Sequence, residues 1–224
     1  MVVLATKIYV EGDARERSLD SLRSLVGNAL GDLDVEFEVG LRDDDFPSVT
    51  VTGEDAPVAR NVLRDEWGTI TPQFEDGETY VGTLESWDSE GFVLDAGEDV
   101  RIPADNLGLG PGTPEQVRTR FGLVQHIPLR FVYDEADGHA LADSERDRLF
   151  DWTRAETGRV NVNSATRAEV RATVNRAGHA RDIVTVERLG LLEQSIVCRE
   201  ETDPPGLLAS IGEYLPAELL CVVP

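Results

Sequence analysis

Between Val160 and Val223 the sequence leaves few folds open, because strand and helix periods follow one another in one order, β-α-β-β-α-β. Val160 and Val162 fall on one side of a short strand, by the two-residue alternation of extended chain. Thr166 and Glu169 have the spacing of a capping box, opening a helix with Val170, Val174 and Ala177 on one stripe. Two apolar strands, 183–189 and 192–199, turn at Gly190. Asp203 and Pro204 open a second helix over 207–215, and a strand over 218–223 closes the series. Each element has one apolar face, so the segment predicts both helices laid on one antiparallel sheet.

That order is the split βαβ of a ferredoxin-like sandwich. It sets Cys198 and Cys221 on strands separated by a third. Two inter-strand spacings of about 4.8 Å exceed the reach of a disulfide, so both cysteines are expected as free thiols acting as small apolar residues. Residues 1–75 read as a related, less complete version. A strand covers Met1 to Val10, and Ser18 caps a helix with Leu19, Leu22, Leu25, Val26 and Leu30, closed by Gly31. Residues 35–39 alternate as a half-buried strand, Asp43 to Asp45 turn, and 48–52 return. Asp55 caps a second helix that tolerates Pro57 in its first turn and ends at Gly68.

The middle, 76–140, is strand-rich. Runs at 80–84, 92–94, 100–102 and 127–133 surround a short helix opened by Thr113, Pro114 and Gln116, which suggests a five-stranded OB-like barrel. A charged helix over 144–156 opens the last segment, 141–224. The expected architecture is α+β: ferredoxin-like domains flanking a small S1/OB-like β-barrel.

Charge narrows the setting. The sequence has 21 basic residues against 43 acids, a net charge of −22, and Lys7 is its single lysine. An acid-coated, lysine-poor surface suits molar salt, where self-repulsion is screened. The chain therefore reads as a protein of a halophilic archaeal cytoplasm rich in KCl. No apolar run reaches the ~20 residues of a membrane span, and the start lacks the basic region and cleavage site of a signal peptide. From Arg146 to Arg188 nine arginines face six acids, the one long stretch of net positive charge.

Enzyme motifs are absent: no G-K-[ST] phosphate loop, no G-x-S-x-G, no H-E-x-x-H, no C-x-x-C. Gly108, Gly110 and Gly112 alternate with Pro111 as a turn. The three histidines, His126, His139 and His179, lie on different elements, so no metal or cofactor is expected. Gly82-x-Leu84, then Gly91 to Gly97, then Val100 to Leu107 resemble an S1-type RNA-binding barrel over about 60 residues. Where that family stacks bases on aromatics, this chain has Glu90 and Val93, with Phe92 beside them; Arg101 stands at the family's histidine, and its late arginine falls near His139. The whole chain also resembles an uncharacterised, domain-of-unknown-function family of archaeal proteins common in haloarchaea. The cues are Val51 to Asp55 with Arg60 to Arg64, the S1-like middle, and Val186 to Gly190 with Cys198. Members tend to be encoded beside the large subunit of archaeal general transcription factor E, which implies an informational role without an activity.

The expected function is non-enzymatic binding of RNA or the transcription machinery. Tyr80, Trp87 and Phe92 are the candidate stacking residues on the barrel. Arg101, Arg130, Arg167, Arg171 and Arg176 are the candidate phosphate or partner contacts, arginine being suited to bidentate pairing. Two alternatives stay open: a protein–protein adaptor with a vestigial barrel, and an enzyme whose site lies between domains.

Overall fold

A computed structural model describes residues 1–224 as a mixed α+β protein with three antiparallel sheets. The first unit contains β1 (Val2–Val3), α1 (Gly12–Leu30), β2 (Val35–Leu41), β3 (Pro47–Gly53) and α2 (Ala56–Trp67), with strand order β1-β3-β2. After α2 the chain adds only a single bridge, from Thr69 to Leu4. Leu22, Val26 and Leu30 of α1 and Ala59, Leu63 and Trp67 of α2 are buried against the sheet, the stripe their spacing predicts. Ser18 is not the cap of α1. The helix begins at Gly12, and the Ser18 hydroxyl donates to the Ala14 carbonyl at 2.7 Å from inside it. Ala14 to Arg17 are sound helix formers, so the helix extends back past its apolar stripe.

The middle unit contains β4 (Thr79–Asp88), β5 (Gly91–Asp95), β6 (Asp99–Pro103), α3 (Pro114–Arg120), β7 (Pro128–Val132) and β8 (Ala140–Leu141). They form one five-stranded sheet in the order β6-β5-β4-β7-β8. Thr113 and Gln116 make the predicted capping box. The next helix, α4 (Asp143–Arg154), packs with this unit rather than opening the last one, because Leu149 and Trp152 join the apolar core over the five-stranded sheet.

The third unit contains β9 (Arg159–Val162), α5 (Arg167–Arg176), β10 (Ile183–Arg188), β11 (Gln194–Cys198), α6 (Pro204–Gly212) and β12 (Leu219–Val222), ordered β10-β11-β9-β12. Cys198 and Cys221 are free, on strands with β9 between them. β9 is buried on both faces. Val160 and Val162 face the helices' core, while Asn161 donates to the Gly122 carbonyl of the middle unit at 2.8 Å. Arg159 lies 4.8 Å over the Trp152 ring, and Arg118 pairs with Glu218 across the same boundary.

Two of the contacts that fix the first unit to the others come from the β10–β11 turn and from Lys7. The turn between β10 and β11 inserts Leu191 and Leu192 into the first unit's core, where the Leu191 amide donates to Thr6 Oγ1 at 2.9 Å. Lys7, expected within the first strand, instead leaves the sheet for the barrel. Its Nζ stands 2.6 Å from Asp95 and 3.1 Å from Glu85. Glu85 is the extra residue of a bulge in β4, between Leu84 and Ser86, a distortion that re-aims a strand side chain. Burial works against the Lys7 charge, but its hydrogen bond to Asp95 and the charge of Glu85 outweigh it and raise the ammonium's pKa.

Lys7→Met strands two part-buried carboxylates. We expect a loss of about 3 kcal/mol, read by urea unfolding in concentrated KCl.

Candidate anion-binding cleft between the end domains

Helices α1 and α5 come from different units and stand side by side because the β10–β11 turn holds their sheets together. Between them lies a cleft of about 740 Å³. Ser21, Leu25 and Asn28 line it from one face of α1. Arg167, Ala168 and Arg171 line it from α5, and Leu191 and Gln194 from the inserted turn and β11. Arg17 pairs with Glu169 at 3.0 Å across the two helices, and Arg188 pairs with Glu66, so α5 and β10 are each tied to the first unit by charge.

The cleft is more basic than the chain as a whole. Its lining holds three arginines and a single acid, Glu66. Arg188 is spent on that acid and on the Trp67 face, 4.1 Å away. Arg167 and Arg171 are exposed and make neither an ion pair nor a side-chain hydrogen bond. Their sequence neighbour Glu169 does not neutralise them, because it caps its own helix through Thr166 and reaches to Arg17. Those hydrogen bonds overcome its burial and hold its carboxyl below the usual range. Two guanidinium groups one helical turn apart, with no carboxylate between them, can take an anion bidentately.

The other candidates are placed differently. Phe92 is fully buried opposite Ile102 in the barrel core, so it offers no face to a ligand. Its alternation with Leu94 already pointed inward. Tyr80 packs edge-on against Phe74 at 4.8 Å, and its hydroxyl accepts from the Glu75 amide. Trp87 is covered by the Arg118 guanidinium at 3.7 Å and donates to Glu115. Arg101 is paired with Asp88 at 2.9 Å, and Arg130 lies 3.7 Å from the buried Glu145. Arg176 is exposed and unpaired at the end of α5, outside the cleft.

Sequence reasoning missed a second polar cluster, at the junction of the three units. The Tyr9 hydroxyl donates to Glu193 Oε1 at 2.8 Å and accepts from the Ser164 amide at 2.9 Å. The Tyr9 ring lies tilted against His126, with ring centres 3.9 Å apart, and His126 Nδ1 lies 3.2 Å from Glu85. His126 and a carboxylate therefore converge, but neither lines any of the main clefts of the molecule. No group of three or more His, Cys, Asp or Glu side chains is placed to hold a metal ion. Glu193 is completely buried, and burial pushes its carboxyl up to about 8. Glu85 goes the other way, to about 2: burial would raise it, but hydrogen bonds from His126 and Thr83 and the charges of His126 and Lys7 prevail. Gly190 is required here by close approach, since a Cβ would stand 2.1 Å from Glu193 Oε2 and 3.0 Å from Pro128. One signal was available: Glu193 is the only charge between Leu189 and Cys198.

Family comparison accounts for the whole length. Residues 1–73 match the DUF2110 N-terminal domain, 74–153 the DUF2110 central domain and 157–223 the DUF2110 C-terminal domain. The chain belongs to the DUF2110 family. Comparison with curated proteins finds no match. The boundary of the DUF2110 central domain at 153 agrees with the packing of α4 on the barrel. No helix of this DUF2110 chain is long and apolar enough to cross a membrane.

A raised carboxyl stabilises the fold below its unfolded pKa, and that contribution is lost as pH rises through the folded value. Glu193 should therefore cost stability progressively between about pH 4.5 and 8. Glu193→Gln should remove that slope and stabilise the protein at pH 8. The difference between the two unfolding curves across this window isolates the group.

Proposed function

We propose that this DUF2110 chain is a non-enzymatic RNA-binding module of the transcription or RNA-processing apparatus of a halophilic archaeal cytoplasm, with the cleft between α1 and α5 as its site. One observation carries the reading: a chain with 43 acids keeps two arginines unpaired in a concave site whose lining holds one carboxylate. Structural ion pairs elsewhere absorb Arg101, Arg130, Arg146, Arg148 and Arg159. Free, convergent guanidinium groups are what phosphate recognition requires.

The strand order of the third unit, β10-β11-β9-β12, supports reading it as ferredoxin-like, and the first unit repeats it with the Thr69 bridge in place of a last strand. The order β6-β5-β4-β7-β8, with β6 and β8 approaching each other, supports an S1-like barrel. Phe92 is buried, Tyr80 is packed on Phe74 and one face of Trp87 is covered, so the barrel serves here chiefly as the frame that carries the end domains. The same occupancy supports the second reading, a protein–protein adaptor in which the barrel is vestigial.

The double variant Arg167→Ala/Arg171→Ala should weaken binding of single-stranded RNA at least tenfold in concentrated KCl, measured by fluorescence anisotropy, with unfolding unchanged. Arg101→Ala should leave affinity as it is. Equal affinity of the double variant and the wild type removes the cleft from the site. Nuclease-resistant co-purification with a large assembly from native-salt lysate would favour the adaptor.

A further inference from the structure

We infer that the free edge of β12, with the outer flank of α6 over it, is an interface that pairs this chain with a second copy of itself. The pairing runs strand to strand across a two-fold axis.

The third sheet has two edges, and only one is protected. Edge strands present unpaired main-chain groups, and proteins blunt them with bulges and charges. β10 has both. Its register shifts between Ile183 and Thr185, it carries Glu187 and Arg188, and Arg199 Nε donates to the Ile183 carbonyl at 3.1 Å. β12 pairs with β9 alone, in unbroken register, and carries no charged residue. Next to it the Asn163 amide donates to the Glu218 carbonyl at 3.2 Å, and bonded positions alternate along an antiparallel pair. Leu220 and Val222 therefore bond to β9. Leu219, Cys221 and, one step on, Val223 turn their amides and carbonyls outward.

α6 extends this edge without charge. It packs on β12 and β9 while α5 packs on β10, so the flank of α6 turned away from α5 stands over the β12 edge. Ala209, Ser210 and Glu213 share a groove with Ala177 at the end of α5. Pro205, Leu208 and Gly212 fall on the opposite flank by helical spacing. Of the six helices, α6 alone has no charged residue. Glu218, just before the strand, is held by Arg118.

Together these features select the occupant. An outward row of donors and acceptors is met by another strand. In a chain of net charge −22, a second copy faces carboxylates over most of the surface, but neither this strand nor this flank carries one. A strand edge is also complementary to itself, as a two-fold requires. Leu219 then faces Val223 across the axis, and the two Cys221 stand opposite each other.

The test is sedimentation equilibrium of the full chain in concentrated KCl. The wild type should show twice the mass of one chain at about 10 µM. Gly212→Glu sets a carboxylate on the outer flank, and a Cβ there meets nothing within 4 Å, so the single chain keeps its fold. Val223→Pro removes an outward amide from an exposed position. Each change should weaken the dimer at least tenfold without altering the unfolding of the single chain. Ala209→Glu, on the flank facing α5, should leave the dimer as it is. A single chain at every concentration up to about 100 µM overturns pairing with a second copy. A dimer that withstands both Gly212→Glu and Val223→Pro overturns this surface as the contact.

Discussion

The arrangement of this protein depends on four residues, Gly190 to Glu193, that belong to one unit by sequence and to another by packing. Leu191 and Leu192 complete the core of the first unit, and full burial of a leucine stabilises by roughly 1.5–3 kcal/mol. The turn cannot leave that core without exposing both. Neither can it sit there without burying Glu193, which follows directly. The Tyr9 hydroxyl answers one carboxyl oxygen, and the other has no partner. Burial favours the protonated acid, so the fold tolerates a titratable group where a charge would be expelled. Everything about the cleft follows from this seat, because the same turn supplies Leu191, and Gln194 begins the strand beyond it.

The single lysine has a comparable logic. Ammonium is a compact, strongly hydrated charge, unlike the weakly hydrated guanidinium groups that make up the rest of the basic surface. At Lys7 it is held off that surface, between Glu85 and Asp95 and 5.0 Å from the Phe46 ring. A bulge in β4 delivers Glu85 to it, and the same carboxylate receives His126. First and middle units are joined here by charge, while first and last combine the apolar burial of the turn with two ion pairs.

Local chemistry was legible in the sequence, and long-range chemistry was not. Both capping boxes, at Thr113 and Thr166, form as their spacing predicts, because the partners are three residues apart. The strand order that separates Cys198 from Cys221 also followed from the order of elements. Ser18 was misread because good helix formers precede it, and Phe92 because its place beside the S1 stacking positions outweighed its inward alternation with Leu94. The attachment of α4 rests on β7 and Phe121, and the insertion of Leu191 on a core at the other end of the chain, and apolar periodicity names neither partner. The arginines of the cleft were visible as a charge excess, but its other wall, Ser21, Leu25 and Asn28, carries no charge to draw attention.

In the salt-rich setting proposed for this chain, the solvent bears on those arginines as much as the fold does. At 1 M salt the Debye length is about 3 Å, so an exposed guanidinium attracts an anion only on contact. Arg101 and Arg130 already have their contacts, and a ligand would have to displace a carboxylate held in place by the same chain. Arg167 and Arg171 displace only water and ions. Apolar walls beside them lower the local dielectric, which strengthens a direct hydrogen bond without extending its range. Binding in such a solvent is selected by shape and contact, and the cleft between α1 and α5 is where this chain combines free donors with both.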